Sequence, residues 1–387
     1  MMQATSTNLA QLAGEWAVNL PQYSDQIERE RRLPASIARQ FADQGLFHLL
    51  VPVEYGGLEV HPSEFVQILK ALSMGDGSAG WHLMIGATTG LLSASLSDVA
   101  AREIYGTRPG SISVGVTAPL GRADKVDGGY RVTGRWPFGS GSQNADWICG
   151  GCLLFENDEP LLSPEGAPIS QLMLMPAEQV EIEDTWRVSG LRGTGSHHFN
   201  VKDIFVPAEH SITLGARARV RRPLYQFPIL GLLAIGVASV SLGIGFKALA
   251  AFTELAGVKL PTGSSRGLAE RSLVQSEVAK SLADLKSAEA FIHQAIDEAW
   301  DYASAGERLS TEIKANLRLA AVNATQSAAA AVDRLYQAGG SSSIYESSEL
   351  QRCFRDIHVT TQHIMVAPPI YEVVGRVALG LAPKQLL

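Results

Sequence analysis

Apolar residues recur at helical spacing from Asn8 to about Tyr105, broken by the turns Glu54-Tyr-Gly-Gly and Gly75-Asp-Gly. This predicts an N-terminal helical segment that Gly106, Pro109 and Gly110 close. The period then shortens. Val126-Asp-Gly-Gly-Tyr-Arg-Val-Thr reads as a hairpin around Asp127-Gly128, and Trp147 to Phe155, Gln171 to Met175 and His198 to Val206 read as strands. From Leu224 helical periods return over Leu230–Ala256, Leu268–Ser304, Thr311–Ala338 and from Glu349 onward, separated by Gly, Ser and Pro breaks. Four such helices predict a bundle, and Leu319 to Leu335 carries small residues on more than one face, as close packing on several neighbours requires. The expected architecture is mainly α with a central β domain: residues 1–110 helical, 111–212 β, and 213–387 a C-terminal helical bundle.

Length and composition narrow the function. A chain of 387 residues with 46% hydrophobic and 18% charged residues can bury a large core and is too apolar for disorder. Lys plus Arg number 32 against 39 Asp plus Glu, a net charge of −7 that argues against an extended nucleic-acid footprint. Three cysteines, Cys149, Cys152 and Cys353, are too few for a disulfide framework, which fits a reducing, cytoplasmic setting. Met1 to Asn19 has no basic stretch leading into an apolar run, so no signal peptide is expected. Pro223 to Phe246 lacks any charged residue, but its prolines, serines and repeated glycines read as a helix buried among helices, not a membrane span.

The chemistry-bearing residues have competing readings. Cys149-Gly-Gly-Cys152 has redox or zinc spacing, yet within a strand residues three apart point to opposite faces, so structural cysteines are expected. His358 and His363 are five apart and do not form the i, i+4 pair of a helical zinc site, so no metal is expected. Asp356, Thr360 and His363 share one face of a presumed C-terminal helix, where His363 is either a satisfied core histidine or a proton-transfer group. Gly190-Leu-Arg-Gly-Thr-Gly-Ser196 is no dinucleotide fingerprint, because a strand follows it. Its glycines, including Gly195, let backbone N–H groups approach a ligand, with Arg192, Thr194 and Ser196 as further donors. Gly134-Arg-Trp-Pro-Phe-Gly-Ser-Gly-Ser142 offers Trp136 and Phe138 as flat walls and Ser140, Gly141 and Ser142 as polar contacts for a planar heterocycle.

These loops, with Gly45-Leu-Phe-His-Leu-Leu-Val-Pro, Glu54-Tyr-Gly-Gly57, Trp186 to Ser196, Gly339-Gly340 and Arg355-Asp356, give the chain a resemblance to the acyl-CoA dehydrogenase superfamily along nearly its whole length. The resemblance implies an N-terminal helical domain, a middle β-barrel, a C-terminal four-helix bundle and a homotetramer. Within that superfamily the chain is similar to the monooxygenases supplied with reduced flavin by a separate reductase. Registering on Arg355-Asp356 puts His363-Ile364 where many dehydrogenases carry a Tyr-Glu base, and Trp136-Pro-Phe-Gly-Ser-Gly looks like the monooxygenase loop whose serine approaches flavin N5. The resemblance therefore implies reduced FMN or FAD, O₂, a small aromatic or phenolic substrate, an NAD(P)H-dependent flavin reductase as partner, and a C4a-hydroperoxyflavin. It gives Ser140 the N5 contact, and makes His363 the base or the group that holds the substrate in line. It also implies flavin contacts at Gly339 and Gly340 and, displaced from the family position, at Arg266. Asn144 stands where many of these hydroxylases have histidine. Two other readings stay open: an acyl-CoA dehydrogenase or oxidase using a relocated base at Glu372, and a flavin-binding scaffold without catalysis.

Overall fold

The structure, a computed structural model, describes residues 6–106, 110–385 and 387. Pro109, one of the residues expected to close the first helical segment, lies outside them. Among the described residues the chain opens with six α-helices: α1 (Ser6–Asn19), α2 (Ser24–Glu30), α3 (Ala35–Asp43), α4 (Pro62–Gly75), α5 (Gly77–Gly90) and α6 (Asp98–Ala101). Asp76 separates α4 from α5 and starts the second, its carboxylate accepting the Ala79 N–H at 3.0 Å as an N-cap.

Eight strands follow among the described residues: β1 (Ser113–Val126), β2 (Gly129–Gly139), β3 (Trp147–Glu156), β4 (Glu159–Pro160), β5 (Ser170–Pro176), β6 (Glu181–Glu183), β7 (His197–Pro207) and β8 (Ser211–Ile212). They form one sheet in the order β6-β7-β2-β1-β3-β5-β8, with β4 added on β3. The β1–β2 hairpin turns at Asp127-Gly128, as the sequence predicts, and β1 runs parallel to β3. The implied barrel is not closed: the pairing path ends at β6 and β8, three and two residues long, which do not pair with each other.

Trp136 is the pillar of this sheet. Its indole is fully buried, stacks on Phe199 at 5.1 Å and donates to the Gly151 carbonyl at 2.7 Å. A methyl group on Gly121, Gly134 or Gly150 would stand within 2.8 Å of the ring, so those glycines make the room it occupies. This explains Cys149-Gly-Gly-Cys152: the glycine pair accommodates and anchors the indole. The flanking thiols fall in different apolar clusters, and burial pushes the Cys152 thiol up to about 12.

The C-terminal helices are α7 (Pro223–Gln226), α8 (Ile229–Val258), α9 (Ser272–Ala305), α10 (Thr311–Gly339), α11 (Glu349–Thr360) and α12 (Pro369–Ala378). Helix α8 is long and apolar enough to cross a membrane by length and composition, yet 78% of its most apolar 18 residues lie inside the protein. It packs on α4, α5, α10 and α11, and a methyl on Gly243 would sit 2.4 Å from Ser73 Cβ of α4. Small residues there let the helix backbones approach closely.

Candidate active site

Where the sheet meets α5, α8 and the turn after α11, a cavity of about 540 Å³ opens, within the usual range for small-molecule sites. Helix α5 supplies Trp81, Ile85, Thr88 and Thr89; the N-terminal turns of α8 supply Ile229, Leu230, Leu232 and Leu233. The sheet contributes Gly115 to Ala118 and Leu120 of β1 and Pro137 and Phe138 of β2. Both strands lose regular register at these residues, between Val116 and Gly121 and between Trp136 and Gly139, and such bulges re-aim side chains. Among the described lining residues none is Asp, Glu, Lys or Arg.

The two glycine loops meet at the cavity floor. Ser140 Oγ lies 2.6 Å from Ser196 Oγ, which lies 2.7 Å from Thr194 Oγ1, and Thr194 donates to the Leu191 carbonyl at 2.9 Å. Trp81 Nε1 donates to Ser140 Oγ at 3.2 Å. The Gly141 N–H donates to the Thr194 carbonyl at 2.9 Å, tying one loop to the other. Each loop holds a non-glycine residue at positive φ, Phe138 at 65° and Leu191 at 46°. That conformation costs of order 1 kcal/mol for such side chains and persists only where surroundings enforce it. For Leu191 the enforcement is visible: its N–H donates to Asp356 Oδ1 at 2.6 Å, and its carbonyl also accepts from Trp186 Nε1 at 3.2 Å. Burial raises the Asp356 carboxyl to about 7 despite that hydrogen bond.

His363 forms the opposite wall, its ring edge-on to Trp81 at 5.4 Å. It is not on a helix. Helix α11 ends at Thr360, where the Thr360 and Thr361 hydroxyls bond back to the Ile357 and His358 carbonyls. The expected Asp356–Thr360–His363 face therefore does not exist: Asp356 serves the 190–196 loop, while His363 projects from the following turn. Its Nδ1 accepts the Met365 N–H at 3.3 Å, so the neutral ring carries its hydrogen on Nε2. Burial, aided by the positive charge of Arg318, lowers its pKa to about 4. Neutral imidazole is thus the resident form at pH 7. His358 is engaged elsewhere, 3.0 Å from Asp333.

Of the residues singled out from sequence, Phe138, Ser140, Thr194, Ser196 and His363 line the cavity. Gly141, Ser142, Arg192 and Gly195 are not among the lining residues, although Ser142 Oγ and Arg192 Nε are buried and unpartnered among the described residues. Trp136 is not a cavity wall, because the sheet core takes its ring. Arg266 is exposed in the loop after α8, and Gly339 accepts from Lys259 at 2.7 Å with Gly340 beside it; none of the three lines the cavity. Glu372 is exposed on α12, 3.9 Å from Lys384, and does not reach the cavity either. Asn144 holds Arg32 and the Leu33 carbonyl instead of facing the cavity. Sequence reasoning missed Trp81, Trp186 and Gln362; a tryptophan directly after the small residues Gly77-Ser-Ala-Gly80 was the available signal.

The residues present fit a flavin: flat apolar walls, a cluster of hydroxyls at one end and no charged side chain among the described lining residues. Comparison with known proteins agrees. Residues 7–104 match the model for the acyl-CoA dehydrogenase N-terminal domain, and residues 235–368 that for the acyl-CoA dehydrogenase C-terminal domain. An indole-3-acetate monooxygenase from Pseudomonas putida is 33% identical over 358 residues, covering 92% of this chain and 90% of the relative. The crystal structure of the HsaA monooxygenase from M. tuberculosis superposes with a TM-score of 0.90 at 27% identity, covering 98% of this chain and 99% of the other. XiaF from a Streptomyces species, solved with FADH2 and glycerol, gives 0.88 at 28% identity over 98% of each chain. The chain belongs to the acyl-CoA dehydrogenase superfamily and, within it, to the flavin-dependent two-component monooxygenases.

Proposed function

We propose that this protein is the oxygenase component that takes reduced FAD or FMN from a separate NAD(P)H-dependent reductase and, with O₂, hydroxylates a small uncharged aromatic compound. The observation that carries this is the pairing of a neutral histidine with a hydroxyl cluster across one apolar cavity. When bound, reduced flavin supplies the activation of O₂ and the transferable oxygen atom. The protein's residues hold the reactants and keep water out. Ser140 would hold flavin at its N5 edge, with Phe138 and Trp186 as walls. His363 presents its Nε2–H to the substrate's ring oxygen or nitrogen, orienting it and stabilising negative charge that develops there. Of the two roles the resemblance allows, this geometry supports holding the substrate, since burial that lowers the pKa to about 4 makes a poor base. A homotetramer in the cytoplasm is part of this reading, with Arg266, Gly339 and Gly340 available to a neighbouring subunit's flavin.

The absence of charge in the described lining sets the substrate class. An ionised carboxylate entering this cavity loses hydration and gains no cationic partner. The relative named for indole-3-acetate acts on a ring that bears such a group. This protein is expected to turn over indole or a simple phenol with kcat/KM roughly tenfold or more above that of the matching arylacetate. Product yields from paired substrates at fixed reduced flavin measure the ratio. A preference for the carboxylate would overturn the assignment of an uncharged substrate.

A further inference from the structure

We propose that Ser196 and Thr194 are positioning residues that fix Ser140 as a hydrogen-bond acceptor, and that this polarity makes the cavity prefer reduced over oxidised flavin. The proposal rests on the reading that flavin occupies the cavity with N5 at Ser140. It follows from counting hydrogens. A hydroxyl has one hydrogen to donate, an indole N–H only donates and a carbonyl oxygen only accepts. Thr194 gives its hydrogen to the Leu191 carbonyl, so it can only accept from Ser196. Ser196 has then spent its hydrogen, so the 2.6 Å contact is Ser140 donating to Ser196. Trp81 Nε1 donates into Ser140 from the other end. Every hydrogen in the chain is committed in one direction, from Trp81 toward Leu191.

Ser140 is left with a single lone pair for whatever it meets in the cavity. Reduced flavin carries a hydrogen on N5 and donates to that lone pair; oxidised flavin has only a lone pair there, and the two repel. Reversing the chain would give up the Thr194 hydroxyl's bond to the Leu191 carbonyl, which would keep only Trp186 Nε1 and the Thr194 N–H as donors. Leu191 and Thr194 are 1% and 2% exposed, so bulk water cannot make up the loss. The end of the chain is itself anchored, since Asp356 and Trp186 hold Leu191 in place. Binding therefore favours the form in which the flavin arrives and disfavours the form in which it leaves, which clears the site for the next turnover.

The test is equilibrium binding of oxidised and dithionite-reduced FAD and FMN under anaerobic conditions, to the wild type, Ser196→Ala and Thr194→Val. Either substitution frees a hydroxyl hydrogen to turn toward N5. The ratio of oxidised to reduced Kd is expected to fall about tenfold or more, the scale of one buried hydrogen bond. Most of the change should come from tighter binding of oxidised flavin, a gain that general damage to the loop does not produce. Ser140→Ala should lower the ratio by weakening the reduced form instead. Wild-type ratios in both Ser196→Ala and Thr194→Val would overturn the polarity and leave the flavin site standing. A wild type that binds neither redox form would overturn the flavin site, and this proposal with it.

Discussion

Replacing His363 with alanine is expected to cut product formation by roughly 10²- to 10³-fold, the loss typical of removing a hydrogen-bond donor aimed at developing charge. Binding of reduced flavin should stay at the wild-type level, because the residues proposed to hold it, Ser140, Thr194 and Ser196, lie across the cavity from His363. Oxygen consumption then continues with hydrogen peroxide as the outcome, so the ratio of product to peroxide is the quantity to measure. His363→Gln keeps an N–H donor and should recover part of the loss. The pH profile separates a donor from a base. A histidine whose pKa has fallen to about 4 binds a proton only near that pH, so it is neutral throughout the range above. Wild-type coupling is thus expected to hold from pH 8 to pH 5.5, and an acid limb near 6.5 would show that His363 titrates as an ordinary base.

Gly190→Ala should destabilise the protein by about 3 kcal/mol and loosen the flavin site with it. An added methyl would lie 2.1 Å from the Arg355 carbonyl oxygen and 2.3 Å from its carbon, both backbone atoms of α11 that cannot rotate aside. The loop must therefore lift off the helix. Leu191 is the next residue, and its N–H and carbonyl anchor the loop to Asp356 and terminate the hydroxyl chain. Thermal unfolding and reduced-flavin affinity should fall together. Wild-type values of both would mean that the loop docks more loosely than these distances require.

Much of this was legible from periodicity and turn chemistry. The long helices α8, α9 and α10, and strands β3, β5 and β7, begin and end within a few residues of where the apolar pattern places them. The end of α11 was not, because Thr-Thr-Gln-His-Ile-Met after residue 359 keeps a helical pattern and no proline intervenes until Pro368. Two threonine hydroxyls competing for backbone carbonyls lie where the helix stops, a local effect that hydrophobic spacing does not encode. Trp136 was misplaced for a different reason: whether a tryptophan in a glycine-rich stretch is a wall or a pillar depends on pairing across the sheet. Barrel closure depended on β6 and β8, edge strands too short to leave a pattern. Ser140, Thr194 and Ser196 could be named from their loops, but not Trp81, which is 59 residues from Ser140 and completes their chain.

Hydroxylation of an uncharged aromatic compound with reduced flavin and O₂ in this cavity can be observed in one experiment. The most direct measurement mixes the protein anaerobically with reduced FAD or FMN, then with oxygenated buffer containing indole or a phenol, following flavin absorbance and quantifying product. A spectrum distinct from both reduced and oxidised flavin is expected to persist before reoxidation, with hydroxylated product formed in proportion to flavin consumed. Immediate reoxidation without product, on a protein that holds oxidised FAD tightly and is bleached by an acyl-CoA thioester, would contradict it.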